Sequence, residues 1–163
     1  SSNLFQDAFL DIAREIVDRS GIYPNALELE ITETTAMSNP QRTMEILAEL
    51  KRLGLRIALD DFGTGYSSLS HLQRLPIDVI KIDRAFVHDV SNKRESGEIV
   101  RLVVAMSRAL GITSVAEGVE TREDMVTLRE LGADIAQGYL FSRPLGVAEA
   151  EDLLRMSANF LVR

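Results

Sequence analysis

Five times along this chain a short apolar run ends on polar groups: LELEITE at 27–33, IALDD at 57–61, VIKID at 79–83, SVAEGVE at 114–120 and DIAQGY at 134–139. The runs have the length and composition of strands, and the stretches between them have helical spacing. Connections of that length are too long for hairpins, so the strands should lie parallel, joined by right-handed helical crossovers. In a parallel α/β sheet the C-terminal ends of all strands share one side, where catalytic groups collect. Glu30, Asp60, Asp61, Lys81, Glu117 and Gln137 should therefore converge on one site.

The helices can be placed by the same reasoning. Apolar residues at Leu4, Phe5, Ala8, Phe9, Ile12, Ala13, Ile16 and Val17 predict an amphipathic helix that stops at Gly21. Asn39-Pro40 opens a second, with Met44, Leu47, Leu50 and Leu53 on its apolar face and Gly54 closing it. A short helix is expected from Tyr66 to Leu75, broken by Pro76, and a long one from Glu98 to Leu110 ending at Gly111. Thr121 caps another, with Glu123 and Asp124 in its first turn and Gly132 at its end. Val147 to Met156 forms the last. The strand around ALELEITET should carry Glu28 and Glu30 opposite Leu27, Leu29 and Ile31, and ADIAQGYLF should supply one or two strands. The polar stretch HDVSNKRESGE at 88–98 reads as a surface loop. No internal boundary or low-complexity segment appears, so residues 1–163 read as a single domain.

Charge and composition narrow the function. A net charge of −7 argues against a duplex nucleic-acid partner, since such affinity comes largely from Lys and Arg on phosphates. An anionic ligand would need a local device such as a metal ion. There is no cysteine, which removes disulfides, thiolate metal sites and cysteine nucleophiles and fits a cytosolic protein. No run approaches the roughly 18 apolar residues of a membrane span, and the N-terminus lacks the pattern of a signal peptide.

Singly, the strand-end residues have ordinary readings. Asp60 and Asp61 before Gly63 and Gly65 could make a turn, Lys81 could reach solvent, Glu117 could sit at a helix start and Gln137 could be an edge amide. Together they form an inventory of carboxylates with a lysine, which favours a hard cation such as Mg²⁺ or Mn²⁺. Adjacent aspartates can bridge or divide between two ions, as two-metal phosphoester hydrolysis requires. The lysine could orient or deprotonate a water, or hold a phosphate.

Glu30-Ile-Thr-Glu33, the stretch from Asp60 to Leu69 (DDFGTGYSSL), Lys81-Ile82-Asp83, Ala116-Glu117-Gly118-Val119-Glu120, Gln137-Gly138-Tyr139 and Arg143-Pro144 closely resemble the EAL-domain cyclic di-GMP phosphodiesterases of bacteria. The resemblance runs over nearly the whole chain. It implies a TIM-like α/β barrel of mostly parallel strands that cleaves cyclic di-GMP to linear pGpG with two Mg²⁺ or Mn²⁺. Carried over, Glu30 and Asp60 would bind one ion, with Asp60 shared, and Asp61 and Glu117 the other. Lys81 would hold or activate the water, Glu120 would support the site and Gln137 would lie near water or substrate. Asp83, Arg143 and Pro144 would belong to the substrate site, with Arg143-Pro144 beside a guanine. Phe62, Gly63, Thr64, Gly65, Tyr66, Ser67 and Ser68 would form the mobile loop linking metal binding to dimer contacts, anchored by Glu33.

The resemblance also implies a homodimer, a sensory or GGDEF-type domain upstream, and a bacterial cytoplasmic location, with membrane tethering through other domains. The Glu-Ala-Leu signature and the asparagine that should precede SSNLFQDAF are absent from this sequence. A barrel of this kind needs roughly 250 residues, so about 90, with the first strands, are expected upstream. The barrel should be incomplete in this chain, and the chain alone inactive or weakly active. A different expectation is a degenerate receptor that binds cyclic di-GMP, or acts through protein contacts, without turnover.

Overall fold

The computed structural model describes residues 9–63 and 69–156. Among these residues five strands lie parallel in one sheet, in sequence order: β1 (Glu28–Thr32), β2 (Arg56–Phe62), β3 (Val79–Ile82), β4 (Thr113–Glu117) and β5 (Ile135–Gln137). Around them run α1 (Phe9–Ser20), α2 (Glu33–Ser38), α3 (Pro40–Arg52), α4 (Leu69–Leu72), α5 (Arg84–Val87), α6 (Arg94–Leu110), α7 (Arg122–Leu131) and α8 (Val147–Met156). Every strand pair is parallel, as the long connections require.

The two-residue period of a strand divides the sheet into two chemically different faces. Ile57, Leu59, Ile80, Ile82 and Ala116 point toward the helices and join Leu47, Leu50, Val100, Val104 and Leu128 in the main core. The alternate residues Ala58, Val79 and Val115 form a small second cluster on the opposite face. Two residues further along their strands come Asp60, Lys81 and Glu117. The alternation that packs the core thus also aims the polar residues at a common face. In β3 all four residues are buried, Lys81 included.

The local signals act as expected at most helix ends. Asn39 Oδ1 accepts from Arg42 N at 3.3 Å to start α3, and Thr121 Oγ1 accepts from Asp124 N at 3.1 Å to start α7. Helices α6 and α7 stop at Gly111 and Gly132.

Several expectations need correction. The strand at ALELEITET ends at Thr32, whose Oγ1 accepts from Thr35 N at 3.3 Å and turns Glu33 and the β-branched Thr34 and Thr35 into helix α2. The stretch 88–98 is not one surface loop. Helix α6 already begins at Arg94, and Val90 and Ser96 are buried. Apolar Val87 and Val90 drop into the core, while the charged residues that made the stretch look like a loop face solvent. The helix expected from Tyr66 is described only as α4, since Tyr66, Ser67 and Ser68 lie outside the described residues. ADIAQGYLF supplies one strand, β5, within the one or two expected. No helix among the described residues is long and apolar enough to cross a membrane.

Candidate active site

Lys81 is the centre of the strand-end face. Its residue is 7% exposed, and its Nζ donates to Glu30 Oε1 at 2.5 Å. It stands 2.8 Å from Glu117 Oε1 and 3.5 Å from Asp60 Oδ1. Three strands thus deliver carboxylates to one ammonium carried by a fourth. Burial alone would push the Lys81 pKa down, but the hydrogen bonds to Glu117 and Glu30 and the surrounding negative charge outweigh it and hold the pKa above the usual lysine range. The Glu117 carboxyl is pushed up, first by burial and then by Asp60 and Glu30, against the pull of Lys81.

The adjacent aspartates owe their placement to a β-bulge. Leu59 pairs with Ile80 and Phe62 with Ile82, so Asp60 and Asp61 together oppose the single residue Lys81. Two consecutive strand residues would otherwise point to opposite faces. The extra residue puts Asp61 in the left-handed region at φ 54°, an uncommon conformation outside glycine that aspartate tolerates better than most. Its pKa is raised by burial first, then by Asp60 and Asp83, with a hydrogen bond to Asp83. Asp83 Oδ1 also accepts from Ala85 N at 2.7 Å, starting α5.

The start of the glycine-rich loop is pinned from below. Glu33, 2% exposed at the start of α2, accepts from Gly63 N through Oε2 at 3.0 Å. Gly63 has φ +103°, and a Cβ there would meet Phe86 Cε2 at 2.8 Å, so only glycine fits beside that ring. Phe62 and Gly63 are described, whereas Thr64, Gly65, Tyr66, Ser67 and Ser68 lie outside the described residues.

Glu120 is placed differently from the other acids, since its Oε1 is paired with Arg84 Nη2 at 2.6 Å. Gln137 ends β5 opposite Glu117, and its backbone carbonyl accepts from Val119 N at 3.0 Å. Arg143 lies over the Tyr139 ring, 5.1 Å from its centroid. Gln137, Tyr139, Phe141, Arg143 and Pro144 line a surface cavity of about 390 Å³. Sequence reasoning did not single out Arg84, though its position directly after Asp83 was a signal that one more side chain leaves the end of β3.

Whether these residues suit a divalent cation can be judged from their oxygens. Asp60 Oδ1 is buried and accepts no hydrogen bond among the described residues, its nearest cation being Lys81 Nζ at 3.5 Å. An oxygen left so is costly unless a stronger electrostatic partner completes it. Among the described residues no three ligand-type side chains are set around a point for a metal, and the shared cation is the Lys81 ammonium. The donor set, all carboxylate oxygen with one atom unpartnered, fits Mg²⁺ or Mn²⁺.

Residues 1–144 match the family model of the EAL domain, and the chain belongs to that family. Cyclic di-GMP phosphodiesterase NbdA of Pseudomonas aeruginosa is 43% identical over 155 residues, which is 95% of this chain and 20% of that protein. Among solved structures, the c-di-GMP complex of the PaMucR phosphodiesterase matches with a TM-score of 0.88 at 38% identity, covering 92% of this chain and 61% of that one. The manganese and cyclic di-GMP complex of Klebsiella pneumoniae BlrP1 matches with a TM-score of 0.81 at 37% identity, over 88% of this chain and 36% of that one. The five strands are therefore an incomplete α/β barrel of the TIM-like kind, and the chain spans about a fifth of the length of NbdA.

Proposed function

We propose that this chain carries the larger part of a cyclic di-GMP phosphodiesterase site, the observation that carries the reading being three carboxylates from three strands gathered on buried Lys81. Glu30, Asp60, Asp61 and Glu117 would hold two Mg²⁺ or Mn²⁺, which when bound supply Lewis-acid polarisation and a water of lowered pKa. The naming of NbdA as a cyclic di-GMP phosphodiesterase and the manganese complex of BlrP1 support this assignment.

In the reaction a water oxygen bonds to phosphorus, the P–O3′ bond breaks, and the 3′ oxygen leaves with a proton as linear pGpG. Lys81 holds the attacking water through its Nζ donors, in a position already fixed by Glu30 and Glu117. Glu120 supports the site from the β4 end. Gln137 orients water or substrate, and Asp83 assists at the substrate side. The cavity beside Tyr139, Arg143 and Pro144 receives a guanine against an aromatic ring and a guanidinium. Glu33 restrains the loop that begins at Phe62 and Gly63.

The chain by itself is proposed to turn over weakly. Its sheet has β1 and β5 at its two edges, so the described strands leave the barrel open beside Glu30. The test has two parts. Titration calorimetry with Mn²⁺ should give binding by this chain that Asp60→Asn weakens, and incubation of a longer natural protein carrying the chain with cyclic di-GMP should yield pGpG. Unaltered Mn²⁺ binding by Asp60→Asn would contradict the metal assignment. Tight nucleotide binding without pGpG would make the protein a receptor.

A further inference from the structure

We propose that Arg84 is a positioning residue of this site, fixing Glu120 from the end of β3; the inference rests on the phosphodiesterase reading above. The ends of β3 and β4 are joined by two ion pairs rather than one. Lys81 meets Glu117 at 2.8 Å, and Arg84 meets Glu120 at 2.6 Å, each pair spanning the same 36 residues of sequence. The inner pair lies within the carboxylate cluster. The outer pair lies at its rim, where the Arg84 side chain is 61% and the Glu120 side chain 34% exposed.

An ion pair this exposed would ordinarily be loose and of little consequence. Here both partners are restrained by packing. The Arg84 stem lies across Gly118, where an added Cβ would meet Arg84 Cβ and Cδ at 2.9 Å and Cγ closer still. Gly118 has φ +71°, so the turn between Glu117 and Glu120 both needs glycine for its backbone and leaves room for the arginine stem. On the other side, fully buried Val119 donates its N–H to Gln137 O and accepts from Leu140 N, both at 3.0 Å. The Glu120 backbone is therefore held by β5 and its side chain by Arg84. Freed of Arg84, Glu120 would add an unpaired carboxylate to a face already crowded with Glu30, Asp60, Asp61 and Glu117.

The experiment compares Arg84→Ala, Arg84→Lys, Glu120→Gln and the Arg84→Ala/Glu120→Gln double variant in a longer natural protein carrying this chain, with Lys81→Ala as the control for the reaction itself. Steady-state hydrolysis of cyclic di-GMP and thermal unfolding are both measured. Arg84→Ala should lower kcat by about 10- to 100-fold, the range for outer partners of metal-site groups, with KM changed less than kcat. Arg84→Lys should recover part of the loss. The double variant should be no slower than the slower single variant, and the two sites should couple in unfolding. An Arg84→Ala protein with wild-type kcat, or losses that multiply in the double variant, would sink the proposal while leaving the phosphodiesterase reading intact. A wild type that makes no pGpG, or a Lys81→Ala variant that makes as much, would sink that reading and this proposal with it.

Discussion

At the scale of single residues, Lys81 has two tasks that can be separated. It is the countercharge of Glu30, Asp60 and Glu117, and in the proposed reaction it holds the water. Lys81→Met keeps the apolar stem and removes the charge, so without metal it should destabilise the protein by about 3–5 kcal/mol, as breaking a buried ion pair does. Added Mn²⁺ should restore much of that stability, because a bound cation replaces the missing charge. Activity should stay low, by about 10²- to 10³-fold, since a donor aimed at the reacting centre is gone. Unfolding midpoints with and without Mn²⁺ check the first part; equal losses in both conditions would contradict it. The identity of these residues was legible because each ends an apolar run. Asp61 at φ 54° was not, since a bulge depends on how β2 registers against β3 and leaves no mark in the composition of LDDF.

At the scale of elements, buried carboxylates fasten the helices to the loops. Asp124 in the first turn of α7 accepts from Ser91 N at 3.1 Å and from Thr121 Oγ1 at 2.6 Å. Burial alone would raise its pKa, but these hydrogen bonds outweigh burial and hold it below the ordinary value of 3.8. A depressed folded pKa contributes stability that is fully present above the unfolded value and lost as pH falls through the folded one. Wild-type stability should therefore decline as pH drops below about 4. Asp124→Asn, which keeps the shape but not the charge, should cost about 1–3 kcal/mol at neutral pH and flatten that decline. Denaturant unfolding at pH 7 and pH 3 measures both, and an Asn variant with an unchanged pH slope would contradict the assignment. This contact also shows why 88–98 is not the surface loop its composition predicts. Its charged residues suggested a loop, whereas Ser91 and Val90 tie it to α7 and the core through one hydrogen bond and one buried side chain. Helix α2 was hidden likewise, since Thr34 and Thr35 favour strand by propensity and only the cap at Thr32 turns them into helix.

At the scale of the whole molecule, the alternation of strands and helices made the parallel sheet legible, and the shared side of the strand ends made the gathering of Glu30, Asp60 and Glu117 on Lys81 legible. How Glu120 and Gln137 are held was not, because Arg84 and Val119 reach them across strands that only the fold brings together. Among the described residues β1 and β5 each have a strand neighbour on one side only, and Ile12 and Ile16 of α1 are 53% and 57% exposed beside β1. The 163-residue chain should therefore self-associate as its concentration rises, which sedimentation would detect as a growing apparent mass; a strictly monomeric chain at high concentration would contradict this. The most direct measurement of the central claim is a time course of pGpG formation from cyclic di-GMP with Mn²⁺, comparing a longer natural protein carrying this chain with its Lys81→Ala variant. The account predicts steady pGpG production by the wild type and a loss of at least about 10²-fold in the variant. A folded, Mn²⁺-loaded wild type that yields no pGpG, or a variant that keeps pace with it, would contradict the assignment of this strand-end cluster as a phosphodiesterase site.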